Sequence, residues 1–247
     1  MGEFEPIIAA MAGGILPALA WLWFWRREDS VHPEPRRLIA LAFLAGMVAV
    51  GIVIPLEKMA QTLISDQSLW IPAALGVTTL TFIVWSALEE IVKFVMAKLT
   101  VLRRREDDEP IDPVIYMVTV ALGFAAAENT LFLLSPLSGN TVLQTILTGN
   151  LRFVGATLLH VLSSAVIGVF LALSFYKSRS AKRWYVLMGV ILASLLHSTF
   201  NFLILNTPES HLMRTFGLVW IGLIALLAVL EYIKRIHPVV KQKLWRF

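Results

Sequence analysis

Cysteine is absent from all 247 positions, which removes disulfides, thiolate catalysis and Cys-ligated metals from consideration. Charge is also scarce. Asp, Glu, Lys and Arg make up 15% of the chain, against about 25% in an average soluble domain. No polar stretch is long enough for a separate soluble domain. There is no internal repeat, low-complexity tract or glycine-rich phosphate loop. The first six residues carry Glu3 and Glu5 but lack the basic n-region of a signal peptide.

What remains is apolar: 57% of residues are hydrophobic and the mean hydropathy is +0.75. Seven runs are long enough to cross a ~30 Å hydrocarbon core. They are Ile7–Trp25, Leu38–Leu56, Ile71–Leu99, Val114–Ser135, Leu151–Tyr176, Trp184–Leu205 and Thr215–Ile233. Backbone in lipid must satisfy itself, so runs of this length are helices. The expected fold is all-α: one transmembrane domain over 1–247, multi-pass in the cell membrane.

Charge between the runs sets the expected orientation. Arg26, Arg27, Arg36 and Arg37 lie in one connection, and Lys98, Arg103, Arg104 and Arg105 in another. Lys177, Arg179, Lys182 and Arg183 lie in a third, and Lys234, Arg235, Lys241, Lys243 and Arg246 follow the last run. The alternate connections hold little beyond Lys58, Arg152 and Arg214. The positive-inside rule then puts the N-terminus outside and the C-terminus in the cytoplasm. A net charge of +4 and pI of about 9.5 would suggest nucleic acid in a soluble protein. Here the charge lines one membrane face, so its partner is anionic lipid and no nucleic acid is expected. Trp21, Trp23, Trp25, Trp70 and Trp184 fall near run ends, where interfacial anchors sit. The tail from Ile233 to Phe247 is expected on the inner surface.

Against this background Leu88-Glu89-Glu90-Ile91-Val92-Lys93-Phe94 stands out. One charge at the centre of a membrane helix costs about 2.5–3.5 kcal/mol on insertion scales. The fourth run adds Glu128 and Asn129, the fifth His160 with Ser163 and Ser164, and the sixth His197 with Ser194, Ser198 and Asn201. The cores of the first, second and last runs carry no charge and read as packing. At ~1.5 Å per residue, Glu128 lies ~22 Å from the cytoplasmic end of its run, His197 ~20 Å, His160 ~24 Å and Glu89 ~14–20 Å. Four consecutive helices thus offer polar groups in one band, which argues for one shared site within about 71–205. Lys93 reaches both acids at i,i+4 and i,i+3 spacing. His160/Ser164 and His197/Asn201 are also i,i+4 pairs, suited to orienting each imidazole from its own helix.

Glu89-Glu90-Ile-Val-Lys93 is an EExxK motif and Phe124-Ala-Ala-Ala-Glu128-Asn129 is FxxxEN, with His160 and His197 following on separate helices. This order resembles the PrsW family of intramembrane proteases, related to the CAAX-protease and bacteriocin-processing superfamily. The resemblance covers about residues 75–205. It implies site-1 cleavage of a membrane-anchored, single-span anti-sigma factor on its extracytoplasmic side. Wider superfamily members have His where this chain has Glu128, and Arg near Lys93, which favours the PrsW branch.

The residues alone support hydrolysis. Glu89 or Glu90 can act as general base, and Asn201 or a protonated His can donate to the oxyanion. Lys93, Asn129 and Ser164 are supporting groups. In a metal-dependent version Glu128, His160 and His197 hold a divalent ion such as zinc with an open position for water, and Glu89 is the base. Metal-free and metal-dependent chemistry both stay open at this point. The competing readings are a proton-coupled transporter, since buried Glu and His also relay protons, and a non-catalytic scaffold. A retinal protein is excluded because Thr215–Ile233 has no lysine.

Overall fold

The computed structural model describes residues 5–27, 32–66, 76–134, 153–206 and 212–236. Among them run seven α-helices and no strand: α1 (Glu5–Trp25), α2 (Arg36–Ser65), α3 (Gly76–Thr100), α4 (Asp112–Leu134), α5 (Leu158–Leu173), α6 (Arg179–Asn206) and α7 (Leu212–Ile233). A π-turn, Phe153–Thr157, leads directly into α5. Six of the helices are long and apolar enough to cross a membrane. The remaining one, α3, has 25 residues and differs by holding Glu89, Glu90 and Lys93 near its middle.

The helix α4 is the axis of the bundle. It packs against α1, α2 and α5, and most of its residues are buried. Small residues permit this. A Cβ on Gly46 of α2 would run into the Val120 carbonyl of α4, and one on Gly123 would run into the Phe43 carbonyl of α2. The two backbones therefore touch directly, as membrane helices without a hydrophobic drive between them must. Glu128, one and a half turns beyond Gly123, is fixed by that contact. Helix α3 lies across α2 and α6. It buries one stripe (Ser86, Glu89, Glu90, Val92, Lys93 and Ala97) and presents Val77, Ile91, Val95 and Leu99 outward. An outward apolar stripe is the stable solution only when the surroundings are lipid.

Three basic connections meet at one end of the bundle. His32 Nδ1 lies 2.6 Å from Glu109, Arg37 donates to Glu106 at 2.9 Å, and Lys182 acts electrostatically on Asp107. Beneath them the Tyr116 hydroxyl donates to Glu34.

Several boundaries differ from the sequence reading. Helix α2 does not stop at Leu56 but continues through Pro55 and Glu57 to Ser65. A proline is tolerated inside a membrane helix when neighbours satisfy the freed carbonyl. Trp25 is buried in the core instead of anchoring at the interface, whereas Trp23 and Trp184 are exposed. Trp70, Arg152, the expected starts at Ile71 and Leu151, and the tail beyond Ile236 lie outside the described residues.

Candidate active site

Helices α3, α4, α5 and α6 bring the sequence-selected residues together. Lys93, fully buried, is the hub. Its Nζ donates to Glu90 Oε1 at 2.8 Å and to Glu89 Oε2 at 3.2 Å, and lies 3.0 Å from His160 Nδ1. The Phe124 ring sits under the ammonium, 4.2 Å from Nζ to centroid, adding a cation–π contact. Helical spacing explains the local part of this arrangement. The acids at i−3 and i−4 share the lysine's face, so one ammonium serves both.

The two imidazoles are held from their far sides. His160 Nε2 lies 2.8 Å from Glu128 Oε2, and His197 Nδ1 lies 3.0 Å from Glu90 Oε1. An ammonium only donates, so His160 Nδ1 accepts from Lys93 and its Nε2–H donates to Glu128. Likewise His197 Nδ1–H donates to the Glu90 carboxylate, leaving Nε2 with a free lone pair. The near nitrogens converge on one oxygen. Glu89 Oε2 is 3.6 Å from His160 Nδ1 and 3.9 Å from His197 Nε2. The rings themselves stand edge-to-face, 5.0 Å between centroids.

Glu90 is saturated. Besides Lys93 and His197 on Oε1, its Oε2 accepts the Ser164 hydroxyl at 2.7 Å. Ser164 therefore serves the acid and not its own helix's His160, as i,i+4 spacing had suggested. Asn201 also departs from its expected imidazole, with Nδ2 donating to the Ser86 hydroxyl at 3.5 Å. In both cases the partner comes from the facing helix α3, closely for Ser164 and loosely for Asn201. Asn129 donates to Thr157 at 3.0 Å, tying α4 to the π-turn just ahead of His160.

A divalent metal is best suited by Glu89, His160 and His197, whose ligand atoms all lie within 4.8 Å of one another. This differs from the sequence-expected set in having Glu89 where Glu128 was expected. Glu128 instead holds the outer nitrogen of His160. Two imidazoles and one carboxylate, each imidazole bonded to a carboxylate behind it, form a donor set that fits zinc. Lys93 contacts two of these three groups, and the single lone pair of His160 Nδ1 can serve either the ammonium or an ion, so a bound ion would require Lys93 to give up that contact.

Sequence reasoning passed over Phe124 as a lysine platform, Ser86, Thr157 and above all Glu57. Glu57 interacts electrostatically with Glu89, Glu128 and Lys93 from α2. An acid two residues past a proline at the end of an apolar run was read as loop. Its signal was the continuing polarity pattern through Ser65.

The chain is similar to known proteins. The model of the PrsW family intramembrane metalloprotease matches residues 34–230. Protease PrsW of Geobacillus kaustophilus is 28% identical over 202 residues, which is 81% of this chain and 81% of its own length. Protease PrsW of Oceanobacillus iheyensis is 26% identical over 220 residues, 89% of this chain and 94% of the relative. That of Bacillus subtilis is 23% identical over 198 residues, 80% and 84% of the two lengths. No solved structure matches the chain. A carrier or a passive scaffold is not favoured beside such relatives. With the matched region spanning α2 to α7 and enclosing the whole Glu–Lys–His cluster, this multi-pass membrane protein belongs to the PrsW family of intramembrane proteases.

Proposed function

We propose that Glu89, His160 and His197 form the peptidase site, with Glu89 as general base and Glu90 as the positioning residue for His197. The observation carrying this is the convergence of His160 Nδ1 and His197 Nε2 on Glu89 Oε2, at 3.6 and 3.9 Å. Of two adjacent acids, the one with acceptor capacity to spare is the better base, and Glu90 has both oxygens engaged.

Peptide hydrolysis needs an activated water, a stabilised oxyanion and a protonated leaving amine. Glu89 takes a proton from a water held between it and the imidazoles as the water oxygen bonds to the carbonyl carbon. Asn201, held only loosely by Ser86, donates to the oxyanion that develops. Glu89 then returns the proton to the departing nitrogen as the C–N bond breaks. Lys93 offsets the charge of the two acids throughout. If a divalent ion were held by Glu89, His160 and His197, Glu89 would be a ligand instead of the free base, and the ion would supply Lewis-acid polarisation and a more acidic water.

The substrate we assign is a single-span membrane protein, and the reaction corresponds to site-1 cleavage of an anti-sigma factor on its extracytoplasmic side. Family membership and the motif order support that class. The meeting of the basic connections at one end of the bundle supports an N-outside orientation.

Co-expression with a single-span reporter substrate tests the assignment. Glu89→Gln, Glu90→Gln and His197→Ala should each lower cleavage strongly, with Glu89→Gln abolishing it. Wild-type cleavage by all three variants would place the chemistry elsewhere. Elemental analysis of purified protein, with chelation and metal readdition, separates the two hydrolytic modes. A stoichiometric divalent ion whose removal stops cleavage supports the metal mode. Full activity after complete chelation supports the glutamate mode.

A further inference from the structure

Between Phe216 and Leu230 helix α7 carries no charge, yet it reaches the two segments that bear the histidines. It packs on α5 and α6 and touches the π-turn. Phe216, a buried ring near the start of α7, makes that last contact. A Cβ on Gly155, the middle residue of the π-turn, would fall against the Cδ1, Cε1 and Cζ atoms of this ring. Only glycine leaves the ring room here. Its other aromatic neighbour is Phe200 of α6, also buried, at 6.4 Å between centroids. One side chain thus sits between the residue five before His160 and the residue three after His197.

That position bears on the site. Single π-turns interrupt helices mostly where function needs a local adjustment. This one is held from two directions. Thr157 accepts from Asn129 on the α4 side, and Gly155 meets Phe216 on the α7 side. On α6, residues three apart share a face, so Phe200 and His197 move together. The imidazoles stand 5.0 Å apart, with near nitrogens 3.6 and 3.9 Å from Glu89 Oε2. Such a geometry tolerates little displacement, because a shift of about 1 Å can cost about 10²-fold in rate. Close-packed interiors transmit strain of this kind.

We infer that Phe216 is a positioning residue of the protease, its ring between Gly155 and Phe200 setting the spacing of His160 and His197. It acts on the imidazoles through those two neighbours. Helix α7 is then more than packing at the edge of the bundle. The inference rests on the cluster around Glu89 being the peptidase site.

The experiment uses the full chain in proteoliposomes with a single-span reporter. It reads kcat and KM per folded enzyme, with Tm beside them. Gly155→Ala drives a methyl into the ring and should lower kcat about 10- to 100-fold with KM within about twofold. Phe216→Val removes all three ring atoms that crowd this methyl, and alone it should also lower kcat. In the double variant the methyl refills part of the space, so it should cleave faster than either single variant. Gly222→Ala is the structural control, since it crowds α7 against Leu162 of α5 at a second seat. It should lower Tm while leaving kcat near wild type. Wild-type kcat in Gly155→Ala, a double variant slower than Phe216→Val, or equal kcat losses in Gly155→Ala and Gly222→Ala would each overturn the inference. Should Gly155→Ala fail to fold, Phe216→Val and the double variant decide by the same comparison. Glu89→Gln is run in parallel. If it still cleaves, the underlying site reading has failed. If it is dead while Gly155→Ala keeps the wild-type kcat, only the role of Phe216 has failed.

Discussion

Glu128 Oε2 lies 2.8 Å from His160 Nε2, and the adjacent Asn129 lies 3.0 Å from Thr157, three residues before His160. Two neighbouring residues of α4 thus bond two points on the chain entering α5. The second rung fixes the register of the first.

The first rung is electrostatic as well as geometric. Glu128→Gln can still accept from His160 Nε2–H but loses the charge that makes the imidazole a stronger base. Substitution of such an outer partner typically costs 10–100-fold, and we expect cleavage to fall by about that range with Tm nearly unchanged. Thr157→Val acts on the second rung. It removes the acceptor that Thr157 offers the buried Asn129 amide, and loss of a buried hydrogen bond costs about 0.5–1.5 kcal/mol. Thermal unfolding of both variants in detergent, beside reporter cleavage, separates the two effects. Equal losses of Tm would mean that both rungs are purely structural.

How far the sequence could be read follows from which residues break the hydrophobic background. Glu89, Glu90, Lys93, Glu128, His160 and His197 were visible because charge in a membrane helix demands compensation, and their shared depth exposed one site. Partner choice was not visible. Whether Ser164 turns to His160 or across to Glu90 depends on the rotation of α3 against α5, which no spacing within one helix encodes. Glu57 was hidden because the apolar run ends at Leu56, whereas the helix itself continues through polar residues to Ser65. The π-turn before α5 was equally hidden, since one added residue in a turn leaves no mark in an apolar pattern.

Contact between α2 and α4 tolerates no side chain. Gly123→Val should push the Phe43 carbonyl aside, part the two helices and displace Glu128 with them. Overpacking of this kind costs about 1–3 kcal/mol or more. Gly51, also on α2, meets nothing within 4 Å, so Gly51→Ala is the control. It should hold or slightly raise the melting temperature, since Gly inside a helix costs about 0.5–1 kcal/mol relative to Ala. A Gly123→Val protein that melts with wild type would show that the helices are not locked by this contact.

Asp107, between α3 and α4, gives a pH dependence. Burial, and then Asp112 beside it, push its carboxyl from 3.8 up to about 7, with Lys182 opposing. Its Oδ1 is buried without a hydrogen-bond partner among the described residues. The folded state thus binds this proton more tightly than the unfolded one. The resulting stability is full at low pH and is lost as pH rises from about 4 through about 7. Asp107→Asn mimics the protonated form. It should melt with wild type near pH ~4 and several degrees above it near pH ~8, at about 2–4 °C per kcal/mol for a chain of this size. A gap of the same size at both pH values would contradict the assignment to Asp107.

Lys93 carries the sharpest test of how the cluster is held together. Removing one member of a buried ionic group leaves the others uncompensated, at about 3–5 kcal/mol, whereas replacing the whole group by neutral residues is often harmless. Lys93→Met strips the ammonium from Glu89, Glu90 and His160 and leaves a neutral chain over the Phe124 ring. It should unfold well below wild type. Adding Glu89→Gln and Glu90→Gln removes the stranded charges, so the triple variant should recover most of the lost melting temperature while cleaving no reporter. Stability would then return without activity. A triple variant no more stable than Lys93→Met alone would mean that the lysine acts through packing under α4, and that the acids do not depend on its charge.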